Sequence, residues 1–233
     1  MNIQNLSPRI CINIALLPVM LVMLFITPAI SAPANKKLQK QVPITGECKT
    51  YLKPINELLK QCQVGPPKSL MLDIDKSSRL MRLKINGKTV KTYVIALGLN
   101  PDKKKDRRGD RATPEGKYYV CEKNPRSQFY LSLKLSYPNI EDARNGLAKG
   151  LIDQQTQQKI ANAIRNRKAP PMNTKLGGNI CIHSGGVGKL NWKGNPPFVN
   201  IRDWTAGCIA LGKSEITELF KLIPLGTPVI IRA

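Results

Sequence analysis

Apolar residues recur every second position over several short stretches of this chain. Ser69 to Ile74 sets Leu70, Leu72 and Ile74 on one side, and Arg79 to Ile85 does the same with Met81, Leu83 and Ile85. That is the period of a half-buried strand. Asn86-Gly87 is a strong tight-turn dipeptide and leads into a third strand over Lys88 to Leu97, which predicts a three-stranded meander. Thr113-Pro114-Glu115-Gly116 punctuates the chain before a strand over Lys117 to Cys121. Gln128 to Leu135 then places Phe129, Leu131, Leu133 and Leu135 on one side. Asn179 to His183 reads as another strand, with Cys181 and His183 on one face, and Thr227 to Arg232 as the last.

Helical spacing is confined to two stretches. One lies within Leu151 to Arg167, polar except for Ile160 and Ile164 on one edge. The other starts at an N-cap Ser214, buries Ile216, Leu219, Phe220 and Ile223, and stops before Pro224. Gly185 to Asn200, rich in Gly, Pro and Asn, reads as a loop. The pattern is a mostly β fold, a β-rich α+β domain with a few short helices. No repeat interrupts it.

The amino terminus follows a different pattern. From about Ile10 to Ile30 nearly every residue is apolar; Arg9 precedes the stretch and small residues run from Ala29 to Ala34. Residues 1–32 therefore read as a secretory signal peptide, or as an uncleaved membrane anchor, since the stretch approaches the roughly 20 residues that span a bilayer. Residues 33–66 form a short extension and 67–233 one catalytic domain, long enough for an ordinary core. The chain is expected to be exported to the periplasm or cell envelope as a monomer.

Charge narrows the partners. The 233 residues carry a net +22, and the apolar amino-terminal segment accounts for only one of those charges. Such a field attracts polyanions. An exported chain meets anionic envelope polymers rather than nucleic acid, so no nucleic-acid partner is expected. The densest run, Lys103-Lys104-Lys105-Asp106-Arg107-Arg108, reads either as a solvated loop or as a binding site.

Six cysteines are present, and five remain if the signal leaves with Cys11, so at least one thiol stays free in an oxidising compartment. Cys48 and Cys62 are the best candidates for a disulfide, because they bracket a short segment with little core. Cys181 is read as a small core residue, although its strand face would also allow it to lie close to Cys208.

One free thiol has a distinctive setting. Cys208 ends the run Asp203-Trp204-Thr205-Ala206-Gly207-Cys208, and the only histidine, His183, ends the strand upstream. A cysteine needs a partner to be ionised near neutral pH, and a single histidine leaves a single candidate base. Gly207 permits a sharp turn that would present its own N–H and that of Cys208 to a developing oxyanion. With one histidine and few clustered carboxylates, no metal and no cofactor are expected.

These residues resemble the L,D-transpeptidases of the YkuD family, whose signature is a histidine followed at a distance by Ser/Thr-x-Gly-Cys, here His183 and Thr205 to Cys208. Three more stretches fit in order: the Gly-Asp and Thr-Pro-x-Gly segment over Arg107 to Gly116; Leu131 to Asn139, which resembles the strand and Tyr-Pro-Asn loop of one branch; and Asp203-Trp204-Thr205, which looks like that branch's lead into the nucleophile. The resemblance runs from about Ser69 to the last residue. It implies a mixed-sheet sandwich with short helices at its edge and cell wall chemistry on peptidoglycan stem peptides.

By the same resemblance Cys208 attacks the L,D peptide bond of a stem tetrapeptide, releases D-alanine and holds the stem as a thioester. His183 acts as the base, steadied by a main-chain carbonyl, and the acyl group passes to an amine of a stem peptide or a lipoprotein, or to water. Thr205, Ser184, Gly185 and Tyr137 would lie at the substrate. This chain departs from the family pattern where Ser184 follows the histidine, where Ala210 stands two residues beyond the cysteine, and where Arg111 and Ala112 replace Gly and Arg. Arg111 and Arg202 are the candidates to meet the donor carboxylate. The basic stretch from about Ala148 to Asn173 reads as a lid or a surface insertion. Two alternatives remain: a hydrolase on the same scaffold, and a non-catalytic basic protein that coats an anionic envelope polymer.

Overall fold

A computed structural model describes residues 40–46, 50–51, 53–61 and 69–233. All belong to one compact unit, Leu38–Ala233. The expected signal or anchor segment and the Cys48–Cys62 pairing lie outside the described residues. Among the described residues no helix is long and apolar enough to cross a membrane.

The elements, in chain order, are β1 (Gln41–Pro43), α1 (Ile55–Gln61), β2 (Leu70–Asp75), β3 (Leu80–Ile85), β4 (Lys88–Val94), β5 (Gly116–Ser127), β6 (Tyr130–Leu135), α2 (Ile140–Ala148), α3 (Gln154–Arg165), β7 (Cys181–Ser184), β8 (Gly188–Asn191), β9 (Phe198–Ile201), β10 (Ile209–Leu211), α4 (Lys213–Leu222) and β11 (Pro228–Arg232). Eight strands form one mixed sheet in the order β10-β7-β6-β5-β11-β2-β3-β4, and β1-β9-β8 form a small second sheet. Among the described residues the fold is mostly β with four short helices, as the alternation implies.

The meander is present: β2 pairs antiparallel with β3 and β3 with β4. Its turn works because Asn86 and Gly87 both hold positive φ, 50° and 79°, the requirement of a type I′ hairpin. Beyond β4 the chain makes a lone bridge, Ala96 to Ala210, with both N–H···O bonds formed at 3.0 and 2.8 Å. This bridge ties the far side of the eight-stranded sheet back to β10. Leu72, Ile74, Leu83, Leu133, Ile209 and Val229 are all fully buried beneath it, and Ile216, Leu219 and Ile223 of α4 pack into the same core.

Several elements differ from the sequence reading. The strand expected over Lys117 to Cys121 continues as β5 to Ser127. Phe129 lies in the turn between β5 and β6 rather than in the strand. Gly185 to Asn200 is not a bare loop, because β8 and most of β9 lie within it and pair antiparallel. The carboxyl-terminal helix is capped by Gly212 without a side-chain bond, while Ser214 spends its hydroxyl on Glu215. α2 went unread, although Asn139 and Asp142 form a capping box at its start.

The supposed extension also takes part in the domain: β1 pairs with β9, with Val42 buried against Val199 and Ile201. The basic stretch after Ala148 forms a small core with α2: Ile160 of α3 and Leu176 of the loop beyond it pack against Ala143. That stretch is anchored to the large sheet, since Tyr119 Oη donates to the Lys168 carbonyl at 2.9 Å.

Candidate active site

β7 and β10 run side by side in parallel, Ile182 opposite Ile209 and His183 opposite Ala210. One step back along both strands, Cys181 lies beside Cys208. The Cys181 N–H donates to Cys208 Sγ at 3.4 Å, and the Cys208 thiol is 3.6 Å from the Asn179 carbonyl oxygen. Cys208 is half-buried and free.

The turn that delivers this sulfur is pinned from its first residue. Asp203 pairs with buried Arg79 at 2.8 Å and accepts the Leu97 N–H at 2.7 Å. The N–H groups of Trp204 and Thr205 both donate to the Leu97 carbonyl at 3.1 Å. The Thr205 hydroxyl then closes the turn on itself, accepting the Gly207 N–H at 3.1 Å and donating to the Cys208 carbonyl at 2.6 Å. Gly207 has φ +131°, and a Cβ there would stand 2.6 Å from the Ala112 carbonyl oxygen. Only glycine fits that corner.

His183 is 1% exposed. Its Nδ1 lies 2.5 Å from the Ser184 carbonyl oxygen. A ring nitrogen facing a carbonyl must carry the proton, so the neutral imidazole keeps its lone pair on Nε2. The Phe129 ring stacks on the imidazole at 4.1 Å and 15°, and the Trp204 ring meets it edge-on at 5.7 Å. Their residues are held in turn: Ser184 Oγ donates to the Phe129 main-chain carbonyl at 2.5 Å, and the Trp204 ring is held by Nε1 donating to the Gly186 carbonyl at 3.1 Å. The imidazole therefore has one orientation.

These neighbours hold the Cys208 pKa well below the ordinary thiol range. The neighbouring Cys181 side chain has the largest effect and outweighs burial; the His183 imidazole, by hydrogen bonding and charge, and the Cys181 N–H add to it. Cys181 moves the opposite way, pushed up because it gives its proton to Cys208 and is buried. Two adjacent thiols thus titrate as a pair with their pKa values driven apart.

The predicted residues fall into three groups. His183 on β7 stands opposite Ala210, two residues beyond Cys208, and Gly207 turns the chain just before the sulfur; the Gly207 N–H is engaged by Thr205 and so is not available to an oxyanion, which leaves the Cys208 N–H beside the sulfur. Gly185 and Arg202 line a cleft of about 760 Å³ together with Gly188, Lys189, Asn200 and Trp204. Arg111 is exposed, next to the Ala112 carbonyl that abuts Gly207.

Ser184, Thr205 and Tyr137 do not present side chains to a substrate. The Ser184 and Thr205 hydroxyls are both consumed inside the turns. Tyr137 is 1% exposed and donates to the Leu176 carbonyl at 3.1 Å; it borders a separate cavity with Lys103, Lys105 and Lys149.

A family model of the L,D-transpeptidase catalytic domain, YkuD, matches residues 70–231. The chain belongs to this family. Its fold and its enzyme class are therefore those of an L,D-transpeptidase-type enzyme. No curated protein matches it. Among solved structures it is similar to the helical cell shape determining protein Pgp2 from Campylobacter jejuni, at 18% identity over 77% of this chain and 55% of that one, TM-score 0.45. Bd1075 from Bdellovibrio bacteriovorus matches at 18% identity over 83% and 54%, TM-score 0.44, and an L,D-transpeptidase from Xylanimonas cellulosilytica at 12% over 78% and 71%, TM-score 0.40. The chain spans just over half the length of the first two.

Four residues of this candidate site lie outside what the sequence predicts. Asn179 acts through its main-chain carbonyl and holds a positive φ of 56°, which no side-chain pattern announces. Phe129 was assigned to a strand face. Trp204 and Asp203 belonged to the motif without a role, and the signal for both was their fixed distance from Cys208.

Proposed function

We propose that this L,D-transpeptidase is an exported cysteine acyltransferase of the cell wall, acting on peptidoglycan stem tetrapeptides. The observation that carries this reading is the Cys208 sulfur held at the end of a pinned turn, beside a histidine of fixed tautomer and a thiol donor. The Cys208 thiolate attacks the carbonyl carbon of the L,D bond. The Cys208 N–H faces the oxygen on which charge collects. Nε2 of His183 takes the Cys208 proton and gives it to the leaving amine of D-alanine, and the stem stays on Cys208 as a thioester. An amine acceptor then loses its proton to Nε2 as it displaces the sulfur.

Export is supported by the apolar amino-terminal stretch and the small residues after it. The cleft lined by Lys189 and Arg202 shares Trp204 with the site and carries the positive charge that a carboxylate-bearing partner would meet. Incubating the reduced protein with a disaccharide tetrapeptide tests the reading by mass. Release of D-alanine with an acyl adduct on Cys208 is expected, followed by a cross-linked dimer. Trimmed monomer without dimer would reassign the domain as a hydrolase; no adduct and no product across neutral pH would overturn the reading.

A further inference from the structure

Three cysteines lie in a row across the sheet. Cys121 Sγ on β5 is 3.5 Å from the Lys134 carbonyl oxygen of β6, Lys134 is in register with Cys181 of β7, and Cys181 lies beside Cys208. The first two are separated by a whole strand. The last two are not: Cys208 immediately precedes β10, Cys181 opens β7 beside it, and the Cys181 N–H reaches the Cys208 sulfur at 3.4 Å.

The two neighbouring sulfurs also share one acceptor, since Cys181 Sγ is 3.7 Å and Cys208 Sγ 3.6 Å from the same Asn179 carbonyl oxygen. Adjacent strands lie about 4.8 Å apart, within the roughly 4.4–6.8 Å between Cα atoms that a disulfide spans. At that spacing a bond between these sulfurs is within reach of side-chain rotation. The acyl-transfer chemistry described above uses Cys181 only as a neighbour that favours the Cys208 thiolate, and neither makes nor breaks a bond to its sulfur. A second thiol there has a capacity that the chemistry does not use.

We propose that Cys181 is a resolving cysteine, which converts peroxide-oxidised Cys208 into a reversible Cys181–Cys208 disulfide that silences the nucleophile and shields it from further oxidation. The Cys208 thiolate attacks hydrogen peroxide and breaks its O–O bond. One oxygen stays on sulfur with its hydrogen as a sulfenic acid, and the other leaves as hydroxide and takes up the proton that the Cys208 thiol had released, forming water. The Cys181 sulfur then attacks the sulfenic sulfur, the S–O bond breaks, and the hydroxyl departs as water with the Cys181 proton. Two thiols have been oxidised by two electrons and one peroxide reduced to two waters. Without a partner, the sulfenic acid would continue to a sulfinic acid, which reductants do not reverse. The partner is kept ready: buried Cys181 retains its proton until the sulfenic acid forms, whereas Cys208, partly exposed and favoured as thiolate, is the thiol that peroxide reaches first. The loss of activity on closure rests on the acyl-transfer reading; the thiol chemistry itself does not.

Reduced full-length protein treated with a stoichiometric amount of hydrogen peroxide, then digested without reductant, tests the proposal by peptide mapping. The expected result is a peptide pair linked through Cys181 and Cys208, loss of most Cys208 alkylation, and its full return after dithiothreitol. Cys121→Ser should leave the link intact. In Cys181→Ser and Cys181→Ala, a sulfenic acid trapped by dimedone and then a sulfinic acid should replace the link, and dithiothreitol should no longer restore Cys208. Wild-type protein that accumulates Cys208 sulfinic acid at the rate of the variants, or that links Cys208 to any other cysteine, would overturn the assignment. Acylation by a tetrapeptide is read separately on the reduced protein. A link without acylation leaves the disulfide standing and removes the proposed function, whereas acylation without a link removes only the disulfide.

Discussion

Two polar clusters of this molecule look alike in sequence and differ in what their atoms have left to do. Around Tyr137 sits a basic run with a buried tyrosine, where every prominent group is spent. The Tyr137 hydroxyl donates to Leu176. Lys105 donates to the Arg107 carbonyl at 3.0 Å and to Asp110 at 2.8 Å, and Lys149 pairs with Asp106 at 2.6 Å. Burial pushes Tyr118 and Asp142 up, and the Tyr118 hydroxyl donates to Asp142 at 2.9 Å.

Around Cys208, by contrast, hydrogen bonds converge on a sulfur that is held toward its charged form and remains half-open. A satisfied cluster builds structure, whereas a cluster with one favoured charge and one free lone pair can do chemistry. Charge density alone would have pointed to the wrong one.

The sharpest way to break this contrast is to remove the reactive pair. Cys208→Ala should abolish turnover and adduct formation while the thermal transition is kept. His183→Ala should lower kcat by about 10²–10⁴-fold, the usual worth of a positioned base. Activity retained in either variant would remove the distinction between the clusters. Next in size is Gly207→Ala, which forces a Cβ toward the Ala112 carbonyl at an unfavourable φ. It should cost about 1–3 kcal/mol, measured as a lower Tm together with a large fall in kcat.

Thr205→Val keeps the volume and removes a donor and an acceptor. A cost of about 1–3 kcal/mol in chemical denaturation is expected, with kcat reduced and KM little changed, because the hydroxyl shapes the turn and faces no substrate. Cys181→Ala removes the thiol that lowers the Cys208 pKa most. Thiolate is the active form, so activity falls as pH drops through that pKa, and losing the donor should move this acidic limb to higher pH in a kcat/KM profile. The smallest effect belongs to the other cluster: Tyr137→Phe should cost about 1 kcal/mol of stability and leave kcat/KM unchanged.

The same contrast explains what the sequence could reveal. Strands with one buried face announce themselves by alternation, as at Leu70, Leu72 and Ile74, and Asn86-Gly87 fixed its turn because few other pairs tolerate two positive φ values. Cys208 and His183 were legible because their side chains carry the chemistry. Asn179 and Ser184 act through carbonyl oxygens common to every residue, so their identity gives no hint. Thr205 and Gly207 stood in the motif, but that one bonds the other's N–H is a fact of the folded turn. β8 and β9 were missed because a short two-stranded hairpin among Gly, Pro and Asn buries too little for a period to show.

The pH dependence of alkylation at Cys208, followed by peptide mapping in reduced protein, bears most directly on the activated thiol. Half-maximal reaction should fall well below the ordinary thiol range and rise in His183→Ala, while Cys121, pushed up to about 11 by its burial, stays slow throughout. A Cys208 that reacts with the pH dependence of an ordinary thiol, indifferent to His183, would contradict the activation on which the proposed chemistry depends.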